Sequence, residues 1–159
     1  MRGLTGIGVL LLPLVVAAAT PPVGEVFPRS PRYYAMRYGQ PDSTVETERW
    51  SFLHPGTEGY TEIPGRFLGQ KFHDKTVQVE AVFSRPYLEL MAVRVARSSG
   101  WTPQDVDALL AEYGARWRQL GPAIWVSEEG VRALYRDRVF HVLSPRVVGE
   151  MDAVRFGGK

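Results

Sequence analysis

The chain contains no cysteine among its 159 residues. Without a thiol it forms no disulfide, offers no cysteine for lipid attachment and performs no thiol chemistry. Charge of one sign is not in excess either, because 19 basic and 17 acidic side chains leave a formal net charge of +2. A chain this close to neutral presents no strong electrostatic footprint for nucleic acid or for an anionic membrane. We therefore expect neither as a partner.

Long apolar runs are also lacking, because a comfortable transmembrane helix needs ~20 residues and the apolar run near the N-terminus is shorter. That run follows one basic residue, Arg2, and ends in three alanines at residues 17–19. A basic start, a short apolar run and a small-residue site make up a secretory signal peptide. We predict a signal peptide over residues 1–19, cleavage after Ala19, and export to the periplasm or the cell exterior. After cleavage we expect no stable membrane insertion; the alternative is a retained anchor.

The composition that remains is ordinary for a globular protein, with 45% hydrophobic and 23% charged residues. The length gives room for one domain and for a core that needs no disulfide. Four prolines within residues 20–31 exclude a regular helix there and predict an extended lead-in. We predict one domain over residues 32–152 and a flexible tail over residues 153–159. Residues 144–159 are predicted to be weakly structured, and the alternative is one helical turn before Gly157.

The clearest predicted element is a helix over residues 102–120. Thr102 is a good N-cap, Pro103 suits the first helical position, and Asp105 completes a capping box. Apolar residues then recur at spacings of three and four, which predicts one buried stripe along the helix. The stripe consists of Val106, Leu109, Leu110, Tyr113, Trp117 and Leu120.

Alternation of apolar and polar side chains predicts the strands, most clearly over residues 76–84. Further strands are predicted over residues 45–53, 66–72, 87–96, 123–129, 131–137 and 138–144, with a polar loop over residues 54–65. A short helix over residues 32–38 ends at Gly39 and Pro41. This order predicts an α+β fold: an antiparallel meander sheet with the long amphipathic helix packed on one face, and a short N-terminal helix.

The short helix leads into Y-G-Q-P-D (residues 38–42) and then into a strand that carries E-R-W-S-F (residues 48–52). This succession resembles the small periplasmic SmpA/OmlA lipoprotein family of outer-membrane assembly, over residues 32–96. The resemblance implies a Gly-x-Pro turn into a strand with an aromatic pair, then a meander. It also implies an accessory role beside an envelope protein, and no catalytic residues. The lipobox cysteine of the family is missing, so its lipid anchor is missing too.

Sequence motifs of common catalytic sites are absent. The chain contains no P-loop, no G-x-G-x-x-G fingerprint and no G-x-S-x-G serine. His54, His73 and His141 lie too far apart in sequence for a local metal motif. We therefore expect no metal, no cofactor and no catalytic residue, and interpret His141 as a part-buried residue of an apolar strand.

Two groups of side chains are candidate ligand contacts. Glu46 and Glu48 are about 7 Å apart along a predicted strand, and paired carboxylates carry out glycoside hydrolysis; two solvated acids are the alternative. His54 lies in the polar loop near them. The aromatic candidates are Tyr33, Tyr34 and Tyr87, whereas Trp50, Trp117 and Trp125 are assigned to the core.

Two functions stay open on this basis. The first is an exported, non-enzymatic protein that acts through a binding surface, with an envelope protein as partner. The second is a small-ligand-binding or hydrolytic domain with a cleft near the loop of residues 54–65.

Overall fold

The computed structural model describes residues 29–57 and 59–157, and within them are three helices and eight strands. The helices are α1 (Pro31–Tyr38), α2 (Pro103–Tyr113) and α3 (Pro145–Phe156). The strands are β1 (Ser43–Leu53), β2 (Tyr60–Asp74), β3 (Val77–Ser84), β4 (Glu89–Arg97), β5 (Arg118–Gly121), β6 (Ile124–Val126), β7 (Arg132–Arg136) and β8 (Val139–Leu143). The predicted signal peptide and most of the predicted lead-in lie outside the described residues.

All eight strands belong to one antiparallel sheet with the order β1-β2-β3-β4-β8-β7-β6-β5. The sheet consists of two meanders, β1–β4 and β5–β8, which join where β4 pairs with β8. α2 lies in the connection between the two meanders. The predicted α+β class and antiparallel sheet are therefore confirmed.

Helices cover both faces of the sheet, and successive strand residues contribute to opposite faces. The first face carries α1 and α2, and its core includes Tyr34, Phe72, Phe83, Leu109, Tyr113 and Phe140. The second face carries α3, and its core includes Phe52, Phe67, Val82, Leu134, Leu143, Val147 and Met151. Each fully buried large apolar side chain contributes about 1.5–3 kcal/mol, so both layers stabilise the sheet.

α2 begins as predicted but is shorter than predicted. The Thr102 hydroxyl accepts a hydrogen bond from the Asp105 N–H at 3.1 Å, and the Asp105 carboxylate accepts one from the Thr102 N–H at 3.0 Å. This reciprocal pair is the predicted capping box. The helix ends at Tyr113, however, so the prediction of a long amphipathic helix over residues 102–120 is wrong.

Close packing at Gly114 explains why the helix ends there. A Cβ at this position would lie 2.7 Å from the Ser127 Cβ and 2.9 Å from the Trp117 ring. Trp117 folds back, and its indole N–H donates at 2.6 Å to the Leu110 carbonyl, which also accepts from the Gly114 N–H at 3.1 Å. Leu120 lies on the edge strand β5 and is 47% exposed.

β2 is longer than the sequence predicted. It begins at Tyr60, so the second half of the polar loop predicted over residues 54–65 is strand. Pro64 made this segment look like a loop, because proline donates no hydrogen bond to a sheet. Pro64 is tolerated here because β2 pairs with β3 only from Phe67 onwards.

α3 replaces the weakly structured segment predicted over residues 144–159. Ser144 caps it by accepting a hydrogen bond from the Val147 N–H at 3.1 Å, and Pro145 occupies the first turn. The helix continues to Phe156, so most of the flexible tail predicted over residues 153–159 is helical. Gly149, a poor helix former inside the helix, obscured the pattern in the sequence.

Candidate functional site

The candidate site lies under the end of the β1–β2 hairpin. β2 pairs with β3 only from Phe67 onwards. The two segments of the hairpin before that point are residues 49–57 and 59–66. Among the described residues, these segments have no strand partner other than each other. These residues are named the arm. Phe52, Leu53 and Ile63 of the arm belong to the core of the second face. The arm therefore folds over the second face of the sheet, beside α3.

His54 ties the arm to α3. Its ring is buried and makes two hydrogen bonds. Nδ1 accepts from the Gly56 N–H at 3.0 Å, so Nε2 carries the proton and donates to the Asp152 carboxylate at 2.8 Å. With both nitrogens occupied, His54 serves as a structural link in this geometry.

A second link lies one turn further along α3. The Arg155 guanidinium donates to the hydroxyls of Thr61 and Thr57 at 3.2 and 3.1 Å. The Phe156 ring packs edge-on against the His54 ring with 6.0 Å between their centroids. Because these contacts join the arm tip to the C-terminal turn of α3, the arm has a fixed position over the sheet.

A row of polar residues crosses the second face beneath the arm. Glu80 on β3 lies opposite Arg94 on β4, and Arg94 lies opposite His141 on β8. The Arg94 guanidinium donates to the Glu80 carboxylate at 2.9 Å. The next row along the same strands is apolar and consists of Val82, Ala92 and Leu143.

The arm and these two rows enclose a cleft with a free volume of about 160 Å³. Trp50 forms one wall by lying directly on Gly69, where a Cβ would be 2.3 Å from the indole ring. Tyr60 forms part of the opening, and its ring centroid lies 6.3 Å from that of His141. The cleft therefore combines aromatic walls with a floor that is half polar.

His141 lines the floor of this cleft and is 4% exposed. Neither of its ring nitrogens has a hydrogen-bond partner among the described residues. Among the described residues, the side-chain atoms that are both sealed from solvent and unpaired are the Nε atoms of Arg29, Arg85 and Arg132. The His141 nitrogens are therefore accessible from the cleft. A ligand in the cleft would supply the missing partner.

Burial and neighbouring charges keep the His141 ring neutral. The pKa of His141 is lowered to about 4, because burial disfavours the charged form, the charges of Arg94 and Arg136 add to this effect, and Asp137 opposes it. At pH 7 the ring therefore offers one N–H donor and one unprotonated nitrogen acceptor.

The structure places two of the predicted contact tyrosines away from the cleft. Tyr34 is fully buried on the first face, and its hydroxyl lies 2.6 Å from the Tyr113 hydroxyl. Burial raises the pKa of the Tyr34 phenol well above its ordinary value, and Tyr113 adds to the rise. The Tyr33 hydroxyl donates to the Glu112 carboxylate at 2.8 Å. Both tyrosines fasten α1 to α2.

Three further predicted contact residues also lie outside the cleft lining. Glu46 is exposed and pairs with Arg85 at 3.1 Å. Glu48 is exposed at an irregular point of β1, where the register against β2 shifts between residues 47 and 49. Tyr87 is 90% exposed in the turn between β3 and β4. The structure brings none of the three next to His141.

The remaining histidine, His73, is exposed and pairs with Asp42 at 2.8 Å, and this hydrogen bond raises the pKa of His73. Within the described part of the chain, no three histidine or acidic side chains cluster in a way that would hold a metal ion. None of α1, α2 and α3 has the length and apolar character that crossing a membrane requires.

The residues that line the cleft were not predicted from the sequence to form a site. His141 was interpreted as a part-buried strand residue, Trp50 as core, and Tyr60 as loop. Glu80, Arg94 and His141 carry a shared signal, because each is a polar residue with an apolar residue on either side of it in its strand. The strand order is needed to place them in one row, and the sequence did not provide it.

Comparison of the chain with protein-family models, with curated proteins and with solved structures finds no match. The fold and the site together define an α+β protein with a half-open cleft over one face of its sheet.

Proposed function

We propose that the protein is an exported, non-enzymatic binding protein that takes a small ligand into the cleft under the arm. The observation that carries this proposal is the buried His141 ring, which lacks a hydrogen-bond partner among the described residues. A ligand with one donor or acceptor group pairs with this ring. Trp50 and Tyr60 provide the apolar and aromatic lining that small-ligand sites use.

The distribution of exposed apolar side chains favours a small ligand over a large protein partner. The most exposed large apolar side chains are Met36 on α1, Tyr87 in the β3–β4 turn and Phe156 at the end of α3. α1 and α3 lie on opposite faces of the sheet, so these residues are dispersed. Dispersed apolar side chains are ordinary on a protein surface, whereas a docking site gathers them into one patch.

The pKa and the hydrogen bonds of the candidate catalytic side chains also favour binding over hydrolysis. A general base works best when its pKa lies near the working pH, and the pKa of His141 is lowered to about 4 by burial and nearby arginines. Both nitrogens of His54 are already hydrogen-bonded, and Glu46 is paired with Arg85. These arrangements favour a site that holds a ligand without converting it.

Export is supported by the signal-like pattern of residues 1–19, and a place in the cell envelope by the resemblance of residues 32–96 to the SmpA/OmlA family. Mass spectrometry of the protein recovered from its own cells tests this part. We expect an N-terminus at Thr20 in the envelope or extracellular fraction. An intact Met1 in the cytosolic fraction would contradict it.

Ligand binding is tested with three probes of one size and shape that differ in charge: benzoate, benzamide and benzylamine. ¹H–¹⁵N NMR spectra of the purified protein are recorded with each probe. We expect shift changes around Trp50, Tyr60 and His141 with at least one of them. His141→Leu, which keeps the apolar volume and removes the ring nitrogens, should abolish the changes.

His73→Gln is the matched control, because it removes an exposed histidine that lies outside the cleft lining. This variant should bind as the wild type does. If none of the three probes shifts the cleft resonances at millimolar concentration, or if His141→Leu binds them equally well, the proposed function is wrong.

A further inference from the structure

We infer that the cleft selects a small carboxylate carried on a single flat ring, with Arg94 and His141 holding the carboxylate and Trp50 and Tyr60 holding the ring. This inference rests on the proposed function, because it names the class of ligand for the same cleft.

The free volume sets the size of the ligand. The cleft offers about 160 Å³, and an engineered protein cavity of ~150 Å³ is known to hold one benzene molecule. One six-membered ring with a small substituent therefore fills the space. The aromatic walls favour a flat ring, because offset stacking and edge-to-face contacts stabilise aromatic pairs by about 0.5–1.5 kcal/mol beyond burial.

The charges around the floor favour an anion. Arg94 faces the cleft from β4, and its guanidinium uses one nitrogen to bind Glu80, which leaves further N–H donors in the same plane. The arginines near His141 disfavour a positive charge on its ring more than Asp137 favours one. The N–H donors that Arg94 does not use for Glu80 can therefore pair with a carboxylate.

His141 completes the recognition of the carboxylate. Its neutral ring donates one N–H, and a carboxylate oxygen accepts it. A carboxylate accepts from the Arg94 guanidinium with its second oxygen, which makes a charge-assisted hydrogen bond that is stronger than a neutral one. A cationic ligand finds no such pairing, because the carboxylate in the cleft lining, that of Glu80, is already bound by Arg94 and is mostly buried.

Titration calorimetry at pH 7 and low salt tests the inference with benzoate, benzamide and benzylamine. We expect benzoate to bind at least ~10-fold more tightly than benzamide, and benzylamine most weakly. Arg94→Gln should reduce benzoate affinity by ~10-fold or more, since it removes the charge-assisted contact. Glu80→Gln should increase it, since the competing carboxylate is gone. Arg118→Gln removes the same charge from an exposed position on β5 and should leave benzoate binding unchanged.

The outcomes separate the two proposals. If benzamide or benzylamine binds in the cleft as tightly as benzoate, the carboxylate assignment is wrong and the proposed binding function stands. If Arg118→Gln weakens benzoate as much as Arg94→Gln does, the effect is one of net charge and the assignment is wrong again. If no probe binds, both proposals fail together.

Discussion

Gly69 and Trp50 set the shape of the cleft at the scale of single residues. The Trp50 ring occupies the space that a side chain at residue 69 would need, since a Cβ there would lie 2.3 and 2.7 Å from two of its ring atoms. Both atoms belong to a rigid ring and to a wall of the cleft, so even one methyl group forces the wall to move. Glycine is required here for close approach.

Gly69→Ala should therefore destabilise the fold by about 1–3 kcal/mol, the usual cost of overpacking a tight contact. It should also weaken the binding of the ring probes, because Trp50 is displaced. Urea unfolding measures the first effect and calorimetry the second. Gly149→Ala is the control, because nothing lies within 4 Å of a Cβ on that helical residue, and it should stabilise the protein by up to about 1 kcal/mol. Equal effects of the two changes would contradict this account.

The role of a single residue could be predicted where that role depends on its neighbours in the sequence. The capping box of Thr102 and Asp105 is such a case, because both partners lie within one turn of helix. The contacts of Tyr34 and His54 were not predictable, because their partners are Tyr113 and Asp152, far away in the chain. Sequence patterns therefore predict contacts between residues that are close in the chain, but not contacts between distant residues.

At the scale of elements, the arm and α3 form one unit. The hydrogen bond between His54 and Asp152 and the hydrogen bonds from Arg155 to two threonines join the tip of the hairpin to the last turns of α3. The sheet forms the floor of the cleft, and the arm lies over it. The width of the cleft is therefore set by how firmly α3 holds the arm.

Asp152→Ala should destabilise the protein by about 1–3 kcal/mol, because it leaves the buried Nε2–H of His54 without an acceptor. Amide hydrogen exchange in the arm should accelerate more than exchange in β3 and β4, since the arm loses its link while the sheet is intact. Asp107→Ala removes an exposed acid from α2 and should change neither quantity. Uniform acceleration across the whole sheet would contradict the linking role of α3.

Elements were predictable when they carried their own start and stop signals. α1, the start of α2 and most strands fall near their predicted positions because capping residues and alternation are local features. The end of α2 depends on the close contact of Gly114 with Ser127, which follows much later in the chain. α3 depends on the second face of the sheet to bury Val147 and Met151. The weak apolar periodicity of the α3 sequence could not be interpreted before the position of that face was known.

At the scale of the whole molecule, the joining of two meanders at β4 and β8 creates the site. This one pairing places Arg94 beside His141, although the two residues belong to different meanders. The same pairing buries His141 in a neutral state, so the protonation of one side chain is linked to the stability of the entire fold.

We therefore expect the free energy of unfolding to decrease in acid. The pKa of His141 is lowered to about 4 in the folded state by burial, whereas a histidine in the unfolded chain has a pKa near ~6.5. Between these values the unfolded state binds more protons, so the stabilisation is complete above pH ~6.5 and is lost as the pH falls towards ~4, by about 3 kcal/mol in total. Urea unfolding at several pH values measures this loss.

The decrease in the free energy of unfolding at low pH should be mostly absent from His141→Leu and should still occur in His73→Gln. The sign for His73 is opposite, because Asp42 raises the pKa of His73 and its contribution is lost as the pH rises. Parallel curves for the wild type and His141→Leu would show that His141 is not buried in a neutral state.

The most direct measurement is an NMR titration of the His141 ring nitrogens, with and without benzoate. We expect a midpoint near pH 4 in the free protein and a higher midpoint with benzoate, because a bound carboxylate stabilises the imidazolium ion. A midpoint near ~6.5 that benzoate leaves unchanged would contradict both the burial of His141 and the carboxylate site above it.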